Sequence, residues 1–286
     1  MSVTMKTGLS FAAYQALPGL NWSTLKHAVT SPAHFAAAVR GELAGDDTAD
    51  RGMLRACHAA VLEPKAFGRD FGTWAGRRQG SAYEAARAAA PHRHLLSVTE
   101  AAQVEAVRSA IHAHPVAGPL VRHDGGKGEV TLTWAEGGRR MKGRIDLLIM
   151  QDDRWIVADL KAVPSIAPRK LASEVARRLY HAQLAHYCAG LGAVCRTLGI
   201  SPRPIEAMII AYETRPMLDV SVVSLGVFGQ GEAIFCGAAV RAEALRHVAH
   251  LDESTGPMWG QSPDLSELHL PAWAYGDDDP NEVTHE

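Results

Sequence analysis

The chain has 286 residues, 47% of them hydrophobic and 21% charged, which suits a packed core in one large domain or two small ones and excludes a disordered or low-complexity chain. No apolar run approaches the roughly 18–20 residues that span a bilayer, the opening residues lack the basic-then-apolar pattern of a secretion signal, and four cysteines are too few for a disulfide scaffold. A cytoplasmic chain with free thiols and no membrane association is therefore expected. The net charge of −2 hides an asymmetry: residues 252–286 carry nine acids and no Lys or Arg, which leaves the rest of the chain at +7. A basic body with an acidic tail fits a protein that binds a polyanion, or a solvated tail with no role of its own.

In chain order, no repeat of solenoid period is present. Pro18-Gly19 marks a turn. Ser23 is placed to cap a short helix, and Ser31-Pro32 to start another, with His34, Phe35 and Val39 at helical spacing. Residues 41–50 form a polar linker. Asp50 could cap a helix running through Met53, Cys57, His58 and Leu62 to Pro64. Residues 68–80, basic and Gly-rich, are predicted to be an exposed loop. An Ala-rich helix over 81–90 and a helix from Thr99 to His114 follow. The pattern then changes to period two, giving strands at 128–134, 140–150 and 155–162 as an antiparallel meander. One long helix is predicted over 168–198, then strands at 205–212 and 220–225 and a helix at 232–250. Strands in the middle with helices around them indicate an α/β (α+β) core built on one mixed sheet.

The chemistry concentrates in that meander. Asp159 and Lys161 are two apart in one strand and so share a face, and the preceding short turn brings Asp146 alongside. Two carboxylates can hold a hard divalent cation, which can activate water against a phosphodiester, with the ammonium steadying the charge that develops. Asp-x-Lys alone is a common pattern, and an ordinary surface salt bridge would produce it too.

Gly143-Arg144-Ile145-Asp146 followed by Asp159-Leu160-Lys161 resembles the PD-(D/E)xK nuclease superfamily, most of all its RecB-like and RecE-type exonuclease branches. Gln183 and Tyr187 match the Gln-x-x-x-Tyr signature of those branches and lie on one helix face. His58, in His58-Ala59-Ala60-Val61-Leu62-Glu63-Pro64, resembles the His-x-x-x-Leu-Glu-Pro segment of RecE-type enzymes, and Trp22-Ser23-Thr24-Leu25-Lys26 resembles their opening. The resemblance spans about residues 14–250. It implies a restriction-endonuclease-like fold with an N-terminal helical extension (1–48), a nuclease core (49–251) and the acidic tail (252–286). It implies Mg²⁺ or Mn²⁺ on Asp146 and Asp159, with His58 as a further ligand or orienting one, Lys161 assisting the water, and Gln183 and Tyr187 contacting the DNA backbone near the cut or supporting the site. Glu129 could add a carboxylate. Many relatives carry Glu where Asp159 stands.

The implied activity is an exonuclease on double-stranded DNA ends, 5′→3′, that leaves 3′ single-stranded overhangs. Its implied partners are a single-strand annealing recombinase and further copies of itself in a trimer or tetramer, in a phage or prophage setting. A CRISPR-associated or repair nuclease acting on single-stranded or flap DNA, and a non-catalytic DNA-binding protein of the same fold, remain as alternatives. Cys57, Cys188, Cys195 and Cys236 have the order but not the spacing of the iron–sulfur ligands found in some relatives, so a cluster is not expected. Arg77 and Arg78 with Trp74, together with Arg144 and Lys170, are candidates for contact with nucleic acid.

Overall fold

The computed structural model describes residues 3–43, 49–90, 93–215 and 217–253. The acidic tail beyond 253 and residues 44–48 of the 41–50 linker lie outside the described residues. The chain runs β1 (Thr4–Lys6), α1 (Phe11–Ala16), α2 (Trp22–Leu25), α3 (His27–Thr30), α4 (Pro32–Val39), α5 (Ala49–Leu62), α6 (Pro64–Asp70), β2 (Phe71–Trp74), α7 (Ser81–Ala89), β3 (His94–Ser97), α8 (Val98–Ala113) and α9 (Ala117–Val121). It continues through β4 (Gly126–Glu136), β5 (Arg139–Met150), β6 (Trp155–Val163), α10 (Pro168–Arg177), α11 (Tyr180–Thr197), β7 (Ile205–Glu213), β8 (Val220–Val227) and α12 (Glu232–Glu253).

Six strands form one mixed sheet in the order β1-β4-β5-β6-β7-β8. All neighbours are antiparallel except β6 and β7, which are parallel and therefore need the α10–α11 crossover between them. The β4–β5 hairpin is set by Gly137-Gly138, both at positive φ (56° and 75°). This two-residue turn pairs Glu136 with Arg139 and fixes every later pair. On one face of the sheet Leu132, Trp134, Met141, Ile145 and Val157 pack against Leu184 and Leu191 of α11. On the other, Leu147, Ile149, Ile156 and Leu160 pack against Ala56 and Ala60 of α5 and Val104 and Ile111 of α8. Trp22, Leu25 and Phe35 fasten the N-terminal helices onto Ala244 and Val248 of α12.

Several local expectations change. Asn21, not Ser23, caps α2: its Oδ1 accepts the Thr24 N–H at 2.9 Å, so the helix starts two residues earlier. The 68–80 segment is only partly loop, because Phe71–Trp74 pairs in parallel with β3, supported by Phe71 stacking on Phe67. The opening segment contributes an edge strand, β1 on β4. The long helix of 168–198 is two helices. Leu179 sits in the left-handed region (φ 57°) and turns the chain between them, so that α11 begins at Tyr180 against the sheet.

Candidate metal-dependent active site

The site lies where the regular ladder of the sheet fails. The register of the β4–β5 hairpin places Glu129 opposite Asp146, but the paired residues run from Gly128↔Leu147 directly to Val130↔Ile145. Glu129 adopts φ 53°, a conformation that costs a non-glycine residue about 1–2 kcal/mol. Inward direction switches there as well: Ile145 belongs to the core on the α11 side and Leu147 to the core on the α5 side. Between β5 and β6 the pairing stops at Leu147↔Ala158, one step before Asp146 and Asp159 would meet. The Asp146 side chain fills the missing rung, its Oδ2 accepting the Leu160 N–H at 2.9 Å. Glu129, Asp146 and Asp159 therefore form a row across three strands, at a local break in backbone pairing.

Each carboxylate is held differently. Asp146 also faces His58 of α5, with Nδ1 3.6 Å from Oδ2. Glu129 pairs with Arg144, whose guanidinium reaches Glu63 at 3.5 Å on its other side. Asp159 is 1% exposed. It takes an ion pair from Lys161 at 2.5 Å and a hydrogen bond from Gln183 Nε2 at 3.2 Å. The same Gln183 amide donates to the Tyr187 hydroxyl at 2.7 Å. Gly143 leaves room for this arrangement, since a Cβ there would come within 3.1 Å of the Tyr187 ring. The Lys161 ammonium lies 4.8 Å from the centre of the Tyr180 ring, which the break at Leu179 brings to the site.

The electrostatics show a deficit of positive charge. Burial, then the Asp146 carboxylate, pushes Glu129 up to about 8. Burial, partly offset by Lys161, leaves Asp159 raised to about 6, and burial also raises Asp146. Lys161 is held above the usual lysine value: burial, the largest single effect, opposes its charge, but Asp159 and Asp146 together outweigh it. His58 is lowered to about 4 by burial and the nearby Lys161, so it presents a neutral imidazole at neutral pH. Four carboxylates (Glu63, Glu129, Asp146, Asp159) face two cations (Arg144, Lys161) among the described residues. With all of them ionised the cluster carries −2, the charge one divalent cation neutralises. His58, Glu129 and Asp146 each offer a donor atom, all within 4.8 Å of one another. One imidazole and hard carboxylate oxygens suit Mg²⁺ or Mn²⁺.

The structure thus brings together His58, Asp146, Asp159, Lys161, Gln183 and Tyr187, as the sequence motifs anticipate. In the three-donor group Glu129 stands beside His58 and Asp146, while the Asp159 carboxylate is engaged by Lys161 and Gln183. Glu63 and Tyr180 are members of the cluster that the motif reading did not assign. The Gly137-Gly138 turn is the signal that could have given the Glu129 register, because counting back from a two-residue hairpin pairs Glu129 with Asp146.

Arg144 needs a correction. The sequence makes it a candidate for contact with nucleic acid, but only 9% of it is exposed, and its guanidinium is shared between Glu129 and Glu63 beneath the Phe11 and Tyr14 rings, 5.6 and 5.9 Å away. Two acids close enough to neutralise it come from other segments of the chain, which a local count of charge does not register. Arg78 pairs with Glu100. Arg77 and Lys170 are exposed. The cysteines are dispersed and free, and burial pushes the Cys57 thiol up to about 11.

The fold and the carboxylate row are those of a PD-(D/E)xK domain, and comparison with known families agrees. Residues 21–251 match the family described as "PDDEXK-like domain of unknown function (DUF3799)", and the chain belongs to that family. Among solved structures it is similar to a protein described as "Putative exonuclease" from Eubacterium rectale, at 12% identity, covering 86% of this chain and 88% of that one, with a TM-score of 0.54. At that identity the likeness is one of fold. A second structure, SSO0001, aligns with 52% of this chain and 69% of its own at 14% identity and a TM-score of 0.28. No curated protein matches the chain. Among the described residues no helix is long and apolar enough to cross a membrane.

Proposed function

We propose that the protein is a divalent-metal-dependent deoxyribonuclease that hydrolyses phosphodiester bonds from the ends of double-stranded DNA. The observation that carries this reading is the His58–Glu129–Asp146 donor group set beside the Asp159–Lys161 pair, in a cluster with two more carboxylates than cations. The description of the Eubacterium rectale protein supports the exonuclease form of the activity. The resemblance to RecE-type enzymes supports 5′→3′ polarity, a single-strand annealing recombinase as partner, and a homo-oligomer.

A Mg²⁺ or Mn²⁺ ion at these donors would supply Lewis acidity and an activated water at neutral pH. The chain's own residues do the rest. His58, Glu129 and Asp146 present the donors, and the Leu160 N–H orients Asp146. Gln183 fixes Asp159, and Asp159 holds Lys161. The ammonium so placed stabilises negative charge that builds on the phosphoryl oxygens as the bond breaks. Arg144 keeps Glu129 in the row.

The test is cleavage of end-labelled linear duplex beside a closed circle, in Mg²⁺ and in EDTA. Metal-dependent loss of the linear DNA with the circle spared is expected, and the label released first gives the polarity. Cutting of the circle would make the protein an endonuclease. Cutting of neither would favour a non-catalytic DNA-binding role.

A further inference from the structure

Away from the carboxylate row, α7, β3 and the segment after β2 enclose an open cleft of about 640 Å³ lined by Arg78, Tyr83, Glu84, Arg87, Arg93 and His94. We propose that this cleft is a binding subsite for one unpaired nucleotide of a DNA strand whose scissile phosphate lies at the carboxylate row. The proposal rests on the nuclease reading and adds where a strand travels once it leaves the metal donors.

Three features argue for it. First, the volume is in the range of small-molecule sites, and the lining is cationic. Arg78 is matched by Glu100, and Arg87 is loosely paired with Glu84 at 3.8 Å. Arg93 instead donates to two backbone carbonyls, of Gly68 (3.1 Å) and Phe71 (2.5 Å), and its Nε is buried with no hydrogen-bond partner. Its charge is therefore set among neutral carbonyls, where a phosphate would be its counter-ion. Second, the Tyr83 ring forms one wall and packs against Trp74 with 5.8 Å between ring centres. An aromatic wall beside guanidinium groups is the pairing that takes an unstacked base on its face and the backbone on its edge, and the base faces of an intact duplex are not available for it.

Third, α5 links the cleft to the chemistry. The His94 ring rests on Gly52 of that helix, where any Cβ would come within 2.5 Å of it. Gly52 precedes His58 by six residues, about 9 Å along the axis at 1.5 Å per residue. At the roughly 3.4 Å per nucleotide of a stacked strand, that axial rise is on the order of three nucleotides, so the α5 positions beside the cleft and beside the row are separated by no more than a short strand end.

Affinity is measured by fluorescence anisotropy in Ca²⁺, to limit cleavage, on labelled oligothymidylate and on a blunt duplex, across a salt series. The parent chain is compared with Tyr83→Ala/Arg87→Ala and with Tyr83→Trp. The double variant is expected to lose about tenfold in affinity for the oligothymidylate and to show a salt slope shallower by about one phosphate contact, while Tyr83→Trp keeps the parent's affinity. A double variant that binds oligothymidylate with the parent's affinity and slope overturns the proposal. So does an equal loss on the blunt duplex, which offers no unpaired nucleotide. If the parent binds neither probe and cuts no DNA, the nuclease reading falls and this one with it. A parent that cuts DNA beside an unaffected double variant removes this inference alone.

Discussion

Two glutamates on the same strand, seven residues apart, have opposite fates. Glu136, near the hairpin turn, accepts the Trp134 indole N–H at 3.0 Å and pairs with Arg241, and despite partial burial its carboxyl lies below the usual value. Arg241 in turn donates to His186 Nδ1, and His186 Nε2 meets the Lys142 carbonyl at 3.1 Å. Burial and the Arg241 charge hold that imidazole down at about 3. One acid, one base and one neutral ring close a balanced network. Glu129 shares its cation with Glu63, faces Asp146 and rises to about 8. Both clusters sit on the same hairpin. Glu129 is the more deeply buried, and its shared cation leaves the effect of burial uncompensated; charge balance set against burial separates the cluster that holds the fold from the one that needs a ligand.

The comparison breaks first at activity. Asp146→Asn or Asp159→Asn is expected to remove metal-dependent cleavage, at least about a thousandfold on the scale of lost electrostatic stabilisation at a reacting centre, while circular dichroism and the melting temperature show an intact fold. Full activity in Asp159→Asn would contradict the assignment. Lys161→Met should cut kcat strongly and leave DNA affinity close to the parent's, a split that single-turnover kinetics beside anisotropy would reveal.

The balanced cluster should respond in the other currency. Arg241→Met leaves Glu136 and His186 without their partner and is expected to cost up to about 3 kcal/mol, read by urea denaturation, with the metal requirement of cleavage unchanged. A change in metal requirement without loss of stability would reverse the two roles.

The smaller effects concern protons. Glu129 binds its proton more tightly folded than unfolded, so it contributes stability at low pH that is lost as pH rises through about 8. From about pH 7.5 upward, where His58, His186 and the other histidines that the fold lowers are largely neutral both folded and unfolded, the metal-free protein should therefore melt at progressively lower temperature. Glu129→Gln should flatten that slope, with a gain of a few degrees over the parent at the upper end, as about 1 kcal/mol implies for a domain of this size. Added Mn²⁺ should stabilise the parent more as pH rises, because binding displaces the proton. Thermal melts across that range, with and without Mn²⁺, check both signs.

Much of this site is legible in the sequence. Alternation places Asp159 and Lys161 on one face, helical spacing places Gln183 and Tyr187 on one face, and the structure joins the two pairs through a single amide. The rest depends on register and on distant chain. Glu129 enters through a left-handed residue that no strand pattern anticipates. Arg144 reads as a surface base until Glu63 and Glu129 are brought to it from elsewhere in the chain. Leu179 breaks a helix whose composition is continuous, and the break brings Tyr180 to Lys161. The three residues of β1 carry too little pattern to be read as a strand, and find their partner some 129 positions away.

The most direct test of the central claim is calorimetric titration of the metal-free protein with Mn²⁺ at pH 7.5, in two buffers of different ionisation enthalpy. The charge deficit at Glu129, Asp146 and Asp159 predicts saturable binding accompanied by proton release, and its loss in Asp146→Asn. Absence of binding, or binding that survives unchanged in Asp146→Asn, would contradict the assignment of this carboxylate row as a metal centre.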